Sequence, residues 1–129
     1  MIVDTSAMMA ILRKEPEAPA FGAALTEAPR AAISAATLVE LCVVAESRAG
    51  AAIWPEVEAL MADAGIEVAP FTAEQAALAC EGWRRFGKGR HAAGLNLGDC
   101  FAYALARERD EPLLFKGEDF PRTDVRRAV

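Results

Sequence analysis

Met1-Ile2-Val3-Asp4-Thr5-Ser6-Ala7-Met8-Met9-Ala10-Ile11-Leu12 opens the chain and decides how the rest is read. Ile2 and Val3 make a short apolar strand, and Asp4-Thr5-Ser6 supplies the side-chain oxygens that cap a helix running to about Leu12. A strand that passes through an acid directly into a helix is a unit of an open α/β sheet. Such sheets gather ligands beyond the carboxyl ends of their strands.

The same unit recurs downstream. Ala31 to Ser34 reads as a second strand, and Ser34 or Thr37 starts an Ala-, Leu- and Val-rich helix that reaches about Arg48 before Gly50 breaks it. Between these two units, Pro16 suits the first turn of a helix that ends before Pro29. Residues 51–63 read as an amphipathic helix with Pro55 in its early turns, stopped by Gly65 ahead of the strand Ile66 to Ala69. Thr72 opens a helix to about Phe86, Asn96 caps another to about Arg109, and Pro112 to Phe115 is a fourth strand. Residues 87–94 hold three glycines and no period, which reads as an exposed flexible loop. The expectation is a single α/β domain over residues 1–129, with a central parallel sheet of four to five short strands flanked by helices.

Composition narrows the function classes. The apolar share is 53%, yet no run approaches the roughly 18 uninterrupted apolar residues of a membrane span. The start has neither a basic region nor a long apolar one, so a cytoplasmic location is expected. The apolar surplus on short helices, including Met8, Met9, Leu12, Ile53, Trp54 and Leu60, predicts an exposed partner surface. Cys42, Cys80 and Cys100 lie in apolar helical contexts, without disulfide or metal spacing, and read as small core residues. The net charge of −5 argues against a broad basic face for nucleic acid, although Arg84, Arg85, Lys88, Arg90 and His91 form a local basic run. Trp54 and Trp83 fall at helical apolar spacings and suit a core or interface better than base stacking.

Four carboxylates stand where the sheet would collect them: Asp4 after the first strand, Glu40 within a helix, Asp99 at a helix start and Asp119 after the last strand. Singly, Asp4 is explained as a cap, Asp99 as a third-position helix acid and Asp119 as a turn residue. Glu40 is harder to explain, because Ala35 to Ala45 is apolar nearly all round apart from Thr37 and Glu40. Ionised acids brought together raise one another's pKa unless a cation joins them, and hard divalent cations take carboxylate oxygens. The combination points to a magnesium site and to metal-dependent phosphodiester hydrolysis.

The segments MIVDTSA, SAATLVEL, GKGRHAAGLNLGDCFAYALA and PLLFKGEDFPRTDV, in this order and spacing, resemble those of PIN domains, and specifically of VapC-type ribonuclease toxins of bacterial type II toxin-antitoxin pairs. The resemblance implies an endoribonuclease with Asp4, Glu40, Asp99 and Asp119 holding Mg2+ or Mn2+, and Ser6 as a hydroxyl beside the metal. It also implies a cognate antitoxin; the apolar surplus on short helices is the basis for an expected homodimer assembling into a toxin-antitoxin hetero-oligomer. Lys116 stands where many relatives carry Thr or Ser, and Glu118 is a candidate to share the role of Asp119. The basic run, with His91 as a loop residue, is a candidate RNA contact. The rivals are a receiver-like magnesium-binding signalling module and a catalytically idle interaction module. The receiver pattern lacks its acid after the strand Ile66 to Ala69.

Overall fold

The computed structural model describes residues 1–129. In chain order the elements are β1 (Ile2–Val3), α1 (Thr5–Leu12), α2 (Ala18–Glu27), β2 (Ala31–Ser34), α3 (Ala35–Ala49), α4 (Trp54–Asp63), β3 (Ile66–Ala69), α5 (Ala73–Phe86), α6 (Leu97–Arg109) and β4 (Leu113–Leu114). The four strands are parallel in the order β3-β2-β1-β4. Strand order therefore reverses at β1, and the crevice beyond a reversal is where a doubly wound sheet holds its ligand. Asp4, the residue after β1, stands at that crevice. Beyond β4, the Leu113 N–H donates to Arg126 O at 2.8 Å and the Ala128 N–H to Leu113 O at 2.9 Å, so the C-terminal segment occupies a short fifth edge position.

Alternation along the two-residue strands divides the core. Ile2 and Leu113 enter the cluster built with α5 and α6, while Val3 and Leu114 enter the cluster built with α1 to α4. All four are fully buried. Two such faces covered by helices explain why these strands read as unbroken apolar pairs. Local chemistry sets the helix starts: Ser34 Oγ accepts the Ala36 N–H at 3.3 Å and Thr72 Oγ1 accepts the Gln75 N–H at 3.2 Å.

Several expectations change. The helix expected near Pro16 begins at Ala18 with Pro19 in its first turn. Residues 51–63 are not one helix: Ala51–Ile53 is a 3-10 turn and α4 begins at Trp54. Pro55 lacks an N–H and its ring would meet the carbonyl of Ala51, so a continuous helix is excluded there. The fourth strand is confined to Leu113–Leu114. The expected apolar partner surface is mostly core: Met8 and Met9 are buried, and Leu12, Ile53, Trp54 and Leu60 pack on the same cluster. The large apolar side chains left exposed are instead Val39, Val43, Val68, Trp83, Leu97 and Val129. Among the cysteines only Cys100 is buried; Cys42 is half-buried and Cys80 exposed. The 87–94 loop is stitched at its base, with the Lys88 N–H on Leu95 O at 3.0 Å and the Leu95 N–H on Phe86 O at 2.9 Å, and only its tip is open.

Helices α5 and α6 approach closely at Gly82, where an added Cβ would lie 2.5 Å from Tyr103 Cδ1. Tyr103 is buried and cannot retreat. Gly82→Ala is expected to destabilise the fold by about 1–3 kcal/mol through overpacking, despite alanine's better helix propensity. Urea denaturation would read it; unchanged stability would mean the helices slide freely.

Candidate metal centre

Asp4 is 3% exposed, and its two oxygens differ. Oδ2 accepts the Ser6 N–H at 2.9 Å and the Ser6 hydroxyl at 2.5 Å, and Ser6 Oγ in turn accepts the Lys116 N–H at 3.0 Å. Oδ1 is fully buried with no hydrogen-bond partner. A desolvated acceptor left open is costly unless something outside the chain fills it.

The three other candidate acids, Glu40, Asp99 and Asp119, line the same cleft of about 530 Å³, together with Glu15, Thr5, Asn96, Arg48 and Lys116. Glu40 Oε2 accepts the Thr5 hydroxyl at 2.9 Å. Asp99 and Asn96 form a reciprocal capping box at the start of α6: Asn96 Oδ1 accepts the Asp99 N–H at 2.9 Å, and Asp99 Oδ2 accepts the Asn96 N–H at 2.8 Å. Asp119 precedes the 3-10 turn Phe120–Arg122 and is held through its neighbour, because Phe120 is buried with its ring 5.0 Å from that of Phe115. Glu118 is exposed and does not line the cleft.

Burial is the main influence on the first three acids. It raises the pKa of Asp4 despite the bonds from Ser6, with Asp119 adding a smaller upward push. It raises Glu40, offset by Thr5 and reinforced by Asp4. It pushes Asp99 up to about 7, and the charges of Asp4, Asp119 and Glu40 add to that. These couplings place the four carboxylates within one another's field. No three of them converge as a closed ligand cage. The donor set is wholly oxygen, with one orphaned buried acceptor, and suits a hard cation that keeps water among its ligands.

The basic run is only partly free. Arg85 is bound to Asp124 at 2.8 Å, and Arg90 lies over the Trp83 ring at 4.5 Å. His91 Nδ1 accepts the Ala93 N–H at 3.0 Å and its ring meets Phe86 edge-on, so it is not in the acidic cleft. Arg84 and Lys88 are exposed and enter no ion pair. The ammonium of Lys116 turns to Glu15 at 2.7 Å and Glu17 at 3.0 Å, leaving its backbone N–H as its link to the acids.

Two positioning residues carry little signal of that role in the linear sequence. Thr5 reads there only as part of a cap, yet its hydroxyl holds Glu40. At Gly98 a Cβ would lie 2.1 Å from Glu40 Oε1, so only glycine lets the Glu40 carboxylate rest against the start of α6. A glycine just before the acid of a helix N-terminus is the available clue.

The sequence matches the PIN domain family over residues 1–126. The chain belongs to the PIN-domain family, and within it to the VapC-type toxins. It is 46% identical over 125 residues to the Ribonuclease VapC of Mycolicibacterium smegmatis, covering 97% of each chain. It is 47% identical over 130 residues to Ribonuclease VapC28 of Mycobacterium tuberculosis, covering 100% of this chain and 98% of that one. The fold is shared with Mycobacterium tuberculosis VapC20, a sarcin-ricin loop cleaving toxin, at a TM-score of 0.77 and 17% identity, covering 96% of this chain and 95% of that one. A toxin-antitoxin complex from Klebsiella pneumoniae contains a similar chain, at a TM-score of 0.69 and 18% identity, covering 99% and 97%. The receiver-like reading is thereby set aside.

Gly98→Ala is expected to expel the Glu40 carboxylate and weaken Mn2+ binding at least tenfold, roughly the effect of losing a ligand-orienting group, with little change in thermal midpoint. Calorimetric titration with Mn2+ would read it; parental affinity would mean Glu40 tolerates the displacement.

The metal-free protein should also show a pH signature. Asp99 carries a folded value of about 7 against an ordinary 3.8, so between these values the folded chain binds more protons than the unfolded one. Stability should fall as pH rises through that window and level off above it. Denaturation in chelator should find less stability at about pH 8 than at about pH 5, with the difference reduced in Asp99→Asn. A flat profile would mean Asp99 is ionised throughout.

Proposed function

We propose that the chain is a divalent-metal-dependent endoribonuclease, with Asp4, Glu40, Asp99 and Asp119 as the ligand set for Mg2+ and with Mn2+ able to substitute. The observation that carries this reading is Asp4 Oδ1, a buried acceptor without a partner in a cleft that Glu40, Asp99 and Asp119 also line. The names of the relatives at 46% and 47% identity support the ribonuclease assignment.

When bound, the cation supplies Lewis acidity, activating water and offsetting charge on the scissile phosphate and the leaving oxygen. The chain's own residues position and tune. Ser6 fixes the Asp4 carboxylate through Oδ2 and leaves Oδ1 without a protein donor. Thr5 orients Glu40, the Asn96 backbone N–H orients Asp99, and Phe120 anchors the turn that carries Asp119. No side chain in the cleft is a free organic base, since its only titratable acids are the ligand set itself and Glu15, which is held by Lys116.

A cognate antitoxin is the proposed inhibitor, supported by the toxin-antitoxin complex that contains the similar fold. A homodimer is the proposed assembly, built into a toxin-antitoxin hetero-oligomer. The exposed apolar side chains Val39, Val43, Trp83 and Leu97 are the support for a partnered surface.

Asp4→Asn and Asp99→Asn are each expected to lower RNA cleavage at least about 100-fold while leaving the domain folded. The amide oxygen that Asp99→Asn introduces can still accept the Asn96 N–H, so the helix cap survives. Chelation should abolish cleavage, and Mg2+ should raise the thermal midpoint because it binds only the folded acids. Cleavage of total RNA with mapped ends, followed by circular dichroism of each variant, is the measurement. A folded Asp99→Asn protein cutting at the parental rate, or full activity after exhaustive chelation, would sink the assignment. Co-expression with the neighbouring gene product should rescue growth and yield a complex, and a toxin that neither binds it nor is silenced by it would overturn the partner claim alone.

A further inference from the structure

Glu40, Val44 and Arg48 follow at four-residue intervals along α3, so they share one face of the helix, and all three line the carboxylate cleft. Arg48 lies about 12 Å along the helix axis from Glu40. Long helical side chains lean toward the helix N-terminus, so the guanidinium is carried back over the turns that face Glu40. Arg48 is thus both part of the cleft wall and exposed.

The cleft has two basic residues, and they are employed differently. Lys116 is held by Glu15 and Glu17 at 2.7 and 3.0 Å. Arg48 enters no ion pair and makes no side-chain hydrogen bond, although four acids of the metal centre line the same cleft. Its position in the last turn of α3 suits a cation on its own account, because the helix carbonyls there carry partial negative charge. Carboxylates dominate the wall that a polyanion must approach, and the exposed guanidinium is the one free positive group in it. The basic run at 84–91 does not supply this, since none of it lines the cleft, and Arg85 and Arg90 are already occupied.

We propose that Arg48 binds a phosphodiester of the RNA strand adjoining the scissile one, through the two-pronged contact of a guanidinium with a pair of phosphate oxygens, and so sets the register of the strand over the metal centre. This rests on the ribonuclease reading. Arg48 is then a substrate-positioning residue, and its contribution appears in binding rather than in the metal site.

The test uses the full chain with Asp99→Asn as a non-cleaving parent, and fluorescence anisotropy of a short labelled single-stranded RNA. Adding Arg48→Ala should weaken binding about tenfold or more and lower the log–log salt slope by about 0.7, the value of one phosphate contact on a single strand. Arg48→Lys should restore the slope, which reports charge, but not the affinity, which needs the fork. In the cleaving chain, Arg48→Ala should raise KM more than it lowers kcat, with Mn2+ affinity unchanged. Unaltered RNA affinity and slope would overturn the proposal, as would a changed Mn2+ affinity with an unchanged slope, which would make Arg48 a counter-charge for the acids. If the unsubstituted chain cuts RNA and Arg48→Ala changes neither binding nor slope, this inference alone falls; an unsubstituted chain that neither binds nor cuts RNA sinks the nuclease reading with it.

Discussion

The desolvated Asp4 carboxylate at the end of the central strand is the constraint around which the rest of the structure is arranged. Helices on both faces bury the parallel strand β1, and the sheet reversal at β1 opens a crevice directly beyond its carboxyl end. A carboxylate there is penalised by burial and must be held by donors. Ser6 supplies two to a single oxygen, and Lys116, leaving β4, supplies the N–H that orients the Ser6 hydroxyl. The relay ties the exit of β4 to the exit of β1. It brings the segment that carries Asp119 into register with Asp4, whatever the Lys116 side chain does.

Each of the other acids is held by a different device. Glu40 depends on a hydroxyl from α1 and on the missing Cβ of Gly98 in α6, so its position is shared among three helices. Asp99 belongs to the capping of its own helix, where partial positive charge from the free amides offsets part of the burial penalty. A site assembled this way carries electrostatic strain in the metal-free state. The folded chain tolerates it because the two flanking hydrophobic clusters bury both faces of the sheet.

Asp124 shows how tertiary contacts reassign charged residues. It accepts from the Tyr103 hydroxyl at 2.9 Å and pairs with Arg85 and Arg107, fastening the segment after Phe120 to α5 and α6. Its carboxyl is held below the usual range: partial burial pushes it up, and the Tyr103 and Arg85 bonds together outweigh that push. Arg85 is thereby withdrawn from the basic run, and Arg48, unremarkable in the linear text, becomes the free cation of the acidic cleft.

By itself the sequence determined the strand-helix alternation and most helix caps, because these follow from near neighbours: apolar pairs, Asp4, Ser34, Thr72 and Asn96 beside helix starts, and glycines at helix ends; it also marked the four acids as candidates. It misplaces helix starts by a few residues where proline intervenes, as at Pro19 and Pro55. Tertiary structure alone decided that Met8 and Met9 are core while Val39 and Val43 are exposed, because a two-sided sheet sets which helix face turns inward. It also decided that Thr5 and Gly98 hold Glu40, and that Asp4 Oδ1 is left open. Those outcomes depend on atoms separated by tens of residues in the chain, and periodicity and spacing within one element carry no information about them.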